Sequence, residues 1–117
     1  MQPNTAKEYL NTYQTMVTIN TTFHVEDKTN LDFIAYMKNI YIAQAVTDKL
    51  LTNARMCKIH SQELPEGQSY SVQFSFDSLD DLDNWDKNSG KKLNEELVNH
   101  FQDKIVGFST LLEEIEL

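Results

Sequence analysis

The stretch Tyr70-Ser-Val-Gln-Phe-Ser-Phe-Asp77 decides how this chain folds. Tyr70, Val72, Phe74 and Phe76 alternate with Ser71, Gln73, Ser75 and Asp77, the period of a strand with one apolar and one polar face. Such a strand needs a core on one side only. Just beyond it, Ser78 stands three residues before Asp81, the spacing of a helix cap, and Asp80, Asp81 and Asp83 crowd the first turn, where the helix dipole favours acids. Leu79, Leu82 and Trp85 begin an apolar stripe, Asn88-Ser-Gly90 predicts a kink, and Leu93, Leu97, Val98 and Phe101 carry the stripe on. Ile105 to Leu117 reads as a last strand, ending in the acids Glu113, Glu114 and Glu116.

Upstream, Leu64-Pro-Glu-Gly-Gln68 reads as a hairpin loop, and Ala54 to Gln62 as a weaker strand entered through a turn at Thr52–Asn53. Before these, Leu31, Ile34, Met37, Tyr41 and Ala45 recur at helical spacing, widened by Phe33 and Ile40. Thr29 and Asp32 have capping-box spacing at the start of this helix, and no Gly or Pro stops it before Leu50–Leu51. Tyr13 to Val25 alternates again. Tyr13, Val17, Ile19 and Phe23 share one face, interrupted by Thr15 and Thr21; Gln14, Thr18, Asn20 and Thr22, joined by Met16, share the other. Residues Met1 to Thr12 are polar, lie outside the pattern and read as an N-terminal arm. The resulting order, β-α-β-β-α-β, is that of a ferredoxin-like α+β domain: a four-stranded antiparallel sheet in 4-1-3-2 order with two helices on one face. A single such domain over residues 13–117 is expected.

Charge narrows the partners. Eighteen acidic and 10 basic residues give a net charge of −8, and the one basic pair, Lys91–Lys92, sits among acids. Such a surface repels phosphates, so neither nucleic acid nor a membrane is an expected partner. Cys57 is the only cysteine, so no internal disulfide forms, and it reads as a small buried hydrophobe. The first ten residues hold no apolar signal segment and no run approaches a membrane span, so a cytoplasmic protein is expected. His24, His60 and His100 are not at ligand spacing, and Cys57 and His60, three apart on a strand, point to opposite faces. The acids from Asp77 to Asp86 lack the glycine and terminal glutamate of an EF-hand loop, and three glycines build no phosphate cradle. No metal and no cofactor is expected. Tyr41 and Trp85 read as core residues.

One constellation remains. Thr18, Asn20 and Thr22 of the first strand would lie beside Ser71, Gln73 and Ser75 of the third, on the face without helices. Hydroxyls and amides of small volume can orient a small polar ligand, meet water or pack on a partner.

The run Phe101-Gln-Asp-Lys-Ile-Val-Gly-Phe-Ser-Thr-Leu-Leu-Glu113 resembles the C-terminal signature of a bacterial family of uncharacterised small proteins. Tyr70-Ser-Val-Gln-Phe74, Tyr36-Met-Lys38 and Thr52-Asn-Ala-Arg55 resemble other segments of it, and the match spans about Tyr13 to Glu113. That family is similar in pattern to the dimeric α+β barrel superfamily, in which two ferredoxin-like sheets face each other. The superfamily includes cofactor-independent quinol monooxygenases, muconolactone isomerases, haem-dependent enzymes and ligand-sensing domains. The family shows a His-Ile-Pro where this chain has Tyr41-Ile-Ala43, and often an arginine where it has Ser109, so the two most reactive-looking positions are lost. The resemblance therefore implies a homodimer that binds a small organic molecule between the facing sheets or serves as an interaction module. Its candidate ligand-binding face is Thr18, Asn20, Thr22, Gln73, Ser75 and Ser109. The alternative it implies is a cofactor-independent oxygenase or isomerase acting on a small organic acid or aromatic, with no catalytic residue assigned.

Overall fold

The computed structural model of the protein describes residues 15–60 and 66–117. The expected N-terminal arm, the first residues of the opening strand (Tyr13 and Gln14), the end of the expected second strand (Ser61 and Gln62) and the start of the hairpin loop (Leu64 and Pro65) lie outside the described residues.

Among the described residues, four strands form one antiparallel sheet: β1 (Val17–Val25), β2 (Leu51–Ile59), β3 (Gln68–Phe76) and β4 (Ile105–Glu113), in the order β2-β3-β1-β4. Helix α1 (residues 30–45) joins β1 to β2, and helix α2 (residues 79–101) joins β3 to β4. This is the ferredoxin-like fold, and the strand order is the expected one. The alternation in β3 settles which face is covered: Tyr70, Val72, Phe74 and Phe76 are all buried under the helices, with Val17, Phe23 and Val25 of β1 beside them. The Phe33 ring is fully buried and centred 5.3 Å from Phe23, 5.7 Å from Tyr70 and 5.6 Å from Phe101, so one aromatic cluster ties both helices to the sheet. A second cluster joins Tyr41, Phe74, Phe76 and Trp85.

Each helix carries one π turn. In α1, Met37–Tyr41 separates the segments Asn30–Tyr36 and Ile42–Ala45; in α2, Asp86–Gly90 separates Leu79–Trp85 and Lys91–Phe101. The Ile42 amide reaches back five residues to the Met37 carbonyl, and the Lys91 amide likewise to Asp86. The buried residues explain why. In α1 they are Phe33, Met37, Tyr41 and Ala45, spaced by four throughout. At 3.6 residues per turn that spacing drifts about 40° at each step, so a regular helix would carry Ala45 off the core. One wider turn takes up the drift. In α2, Trp85, Leu93, Leu97 and Phe101 keep the same four-residue frame, and the kink expected at Asn88-Ser-Gly90 is this turn. Leu31, Ile40, Leu79 and Val98, expected in the stripes, fall outside that frame and are exposed.

Local side chains set the boundaries. The Ser78 hydroxyl accepts a hydrogen bond from the Asp81 amide at 3.1 Å, the cap expected for α2 and worth about 1 kcal/mol. Thr29 does not cap α1; its own backbone is helical, and its hydroxyl instead donates to a Glu26 carboxylate oxygen at 2.8 Å. Helix α1, whose end the sequence leaves open before Leu50–Leu51, stops at Ala45 without Gly or Pro. The Thr47 hydroxyl donates to the Gln44 carbonyl at 2.7 Å, and the Asp48 carboxylate accepts from the Leu50 amide at 3.0 Å, so side chains close the turn. Strand β2 consequently starts at Leu51, earlier than expected, and runs to Ile59; the expected end at Gln62 lies outside the described residues. Thr52 and Asn53 therefore lie within the strand, at a register shift against β3, where the Thr52 hydroxyl donates to the Ser75 carbonyl at 3.0 Å. The last strand stops at Glu113 instead of running to Leu117.

Gly90 is buried beneath the Trp85 ring. A Cβ built there would stand 2.3 Å from Trp85 Cζ3 and 2.8 Å from an Asp86 carboxylate oxygen. Gly90→Ala gains about 1 kcal/mol of helix propensity, but the ring is part of a packed core and cannot yield cheaply. Gly90→Ala is expected to lower unfolding stability by a net ~1–2 kcal/mol, measured by urea denaturation. A more stable variant would show that the ring is not seated on this turn.

Candidate functional site

The strand register arranges the helix-free face in rows running from β2 to β4. They read Arg55–Gln73–Asn20–Thr110, Cys57–Ser71–Thr22–Phe108 and Ile59–Ser69–His24–Val106. A further row holds Ser75, Thr18 and Leu112. Thr18, Asn20, Thr22, Gln73 and Ser75 thus share one face, as expected. Much of their polarity is turned on one another. Thr18 and Ser75 hydroxyls lie 2.9 Å apart, Ser71 donates to the Asn20 carbonyl oxygen, the Gln73 amide donates to Ser71 at 3.3 Å, and His24 Nδ1 pairs with Ser69 at 3.0 Å. Cys57 is not the buried hydrophobe expected. It is half-buried on this face, with an Arg55 guanidinium nitrogen 3.8 Å from its sulfur.

Beside this polar area runs an apolar one. Val106, Phe108 and Leu112 of the edge strand β4 point the same way, and Val106 and Phe108 are 66% and 65% exposed. A long edge strand with open apolar side chains calls for a partner.

Ser109 lies elsewhere. It pairs with Thr21, so it sits on the helix-side face, its hydroxyl 2.9 Å from that of Thr21. The correction follows from the period of two: residues 108, 110 and 112 face away from the helices, so 109 cannot join them. Ser109 instead edges a cleft of about 260 Å³ between the sheet and α2. Ile19, Thr21 and Phe74 of the sheet line it, with Tyr41 from α1 and Leu82, Asp83, Trp85, Asp86 and Asn94 from α2.

The two π turns frame this cleft: Tyr41 closes the first, Asp86 opens the second, and Trp85 immediately precedes it. Wider turns of this kind occur often at functional sites. The Tyr41 hydroxyl donates to the Asn94 carbonyl oxygen at 2.7 Å, and the Trp85 indole N–H donates to the Ala45 carbonyl at 3.2 Å, fixing both rings. Burial, and secondarily the charges of Asp86 and Tyr36, raise the Tyr41 pKa far above the ordinary tyrosine range. The phenol therefore stays protonated, able to orient a ligand but not to abstract a proton. Tyr41 and Trp85 are core residues, as the sequence suggests, and cleft walls as well. The four-residue spacing is the signal that marks the turns placing them. Among the described residues, no group of three or more His, Cys, Asp or Glu side chains is placed to hold a metal ion, and no helix is long and apolar enough to cross a membrane.

Comparison with known proteins places these features in context. An ethyl tert-butyl ether d (ethd) family protein from Bacillus halodurans C-125 superposes with a TM-score of 0.67 at 13% identity, covering 86% of this chain and 99% of its own. A proposed antibiotic biosynthesis monooxygenase from Caulobacter crescentus CB15 gives a TM-score of 0.65 at 17% identity, over 93% and 99% of the two chains. A dimeric ferredoxin-like protein from an uncultured marine organism gives 0.61 at 9% identity, over 88% and 98%. At these identities the likeness is one of fold. No curated protein of similar sequence was found. Residues 16–115 match the model of a domain of unknown function, DUF4286. This chain, with its ferredoxin-like fold, belongs to the DUF4286 family.

Proposed function

We propose that the protein is a homodimer, joined through its helix-free sheet faces, that binds a small organic molecule in the helix-side cleft of each protomer. The observation that carries the reading is the pairing of π turns, which bring Tyr41 and Asp86 from different helices to one concave site. The dimer is supported by the apolar stripe on β4 and by the dimeric ferredoxin-like neighbour. Association through that face leaves both clefts open, because they lie on the other side of the sheet. A volume near 260 Å³ is slightly below the ~300–1,000 Å³ of drug-sized sites, which suits a compact ligand. The cleft presents a neutral phenol, an amide, aromatic walls and the carboxylates of Asp83 and Asp86; with the phenol held protonated and no catalytic residue assigned, binding is the reading we favour over oxygenase or isomerase chemistry.

Trp85 is the only tryptophan, so its fluorescence reports on the cleft. Small molecules that raise the melting temperature should also shift Trp85 emission. Ser109→Phe, which adds a ring at the cleft edge on an exposed strand, should weaken them at least tenfold while the fold persists. Gln73→Leu on the opposite face should leave their affinity unchanged. The reverse pattern, loss in Gln73→Leu and none in Ser109→Phe, would place the ligand between the facing sheets instead.

A further inference from the structure

Resting on that assignment of the cleft, we propose that it selects organic cations: its occupant is a molecule of one ring bearing a protonated amine. Among the described residues, the only charged side chains lining the cleft are Asp83 and Asp86. They are three residues apart on α2, a spacing that puts both carboxylates on one side of the helix. No lysine or arginine among the described residues lines the cleft to offset them, and the chain as a whole carries −8. An anion entering here meets like charge on a wall of low polarity, where repulsion is screened less than in open water.

The remaining lining suits a cation as well. Tyr41, Phe74 and Trp85 supply aromatic rings, whose faces attract a positive charge. The Tyr41 hydroxyl already donates its proton to Asn94, so its oxygen is left to accept, which an ammonium N–H can use. Thr21 and Ser109 engage each other at the far edge, so the unengaged polarity lies toward the acids. The size also sets a bound. A cavity of about 150 Å³ holds benzene, so 260 Å³ takes one ring with a short arm. A phenyl or similar ring toward Phe74 and Trp85, with its amine near Tyr41 and the acids of α2, would match the apolar and the acidic parts of the lining.

The test uses three probes of one shape on the full chain: phenethylamine, 2-phenylethanol and phenylacetate, each titrated against Trp85 fluorescence. Expected is a preference for the amine over the alcohol of at least tenfold, with the carboxylate weakest. In the Asp83→Asn, Asp86→Asn double variant, checked for an unchanged melting transition, the amine should fall to the affinity of the alcohol. Where that variant does not fold, the single Asp83→Asn change should remove at least half of the preference on a logarithmic scale. Binding of the alcohol or carboxylate as tightly as the amine would overturn the cation selectivity and leave the cleft as a binding site. No response to any of the three up to millimolar concentration would overturn both.

Discussion

Phe33→Ala should cost ~3–5 kcal/mol of unfolding stability, the range for removing a fully buried aromatic ring. The position warrants the upper part of that range. Phe33 has no exposed surface, and its ring meets Phe23 on β1, Tyr70 on β3 and Phe101 at the end of α2. The neighbours cannot close the gap together, since two are anchored in paired strands and the third ends a helix. Domains of this size are stable by only ~5–15 kcal/mol, so the variant should sit near the edge of folding at 25 °C. Urea denaturation should show a large fall in the midpoint with little change in slope. A loss below about 1 kcal/mol would mean that the helices do not meet the sheet through this cluster.

Phe108→Asp should have the largest effect on association. In the isolated protomer Phe108 is 65% exposed, so the change removes little that holds the fold. In a two-fold dimer through the sheet faces, each substitution is made twice. Central aromatic contacts commonly carry ~2 kcal/mol or more each, so the pair should weaken the dimer about a thousandfold. A carboxylate buried without a partner adds to the loss. By contrast, Leu31→Asp, at a residue that is 78% exposed on the helical layer, should leave the dimer intact.

How legible each element was depended on how unequally its faces are buried. Strand β3 could be read residue by residue because Tyr70, Val72, Phe74 and Phe76 meet the core while Ser71, Gln73 and Ser75 between them do not. Strand β4 could not, since Val106, Phe108, Leu111 and Leu112 are apolar on both faces and every residue after Ile105 is exposed. Ser109 is read onto the helix-free face for that reason, and only its pairing with Thr21 fixes its side. The first helix was readable as a helix but not in its facing. Leu31 fits a regular stripe with Ile34 and Met37, yet it is exposed, because Phe33 sets a frame of four that only a π turn can hold. The sequence leaves the end of α1 open because Thr47 and Asp48 close it with side chains, where Gly or Pro would announce it. The cleft was invisible for a related reason. Its walls are residues such as Tyr41 and Trp85 that belong to the core by every local sign, and the concavity arises only when two offset helices meet over the sheet.

The central claim is that a second copy covers the helix-free face while the clefts stay open, and the thiol of Cys57 tests it most directly. Cys57 is the only cysteine, and it lies on that face, half-buried in the protomer. The measurement is its rate of labelling by a water-soluble aromatic disulfide at micromolar protein, in the parent chain and in Phe108→Asp, with sedimentation giving the mass of each. A parent of about twice 13.6 kDa is expected, labelling at least tenfold more slowly than a monomeric Phe108→Asp variant. A parent chain that sediments as a monomer, or a dimer whose Cys57 labels as fast as the variant's, would contradict the central claim.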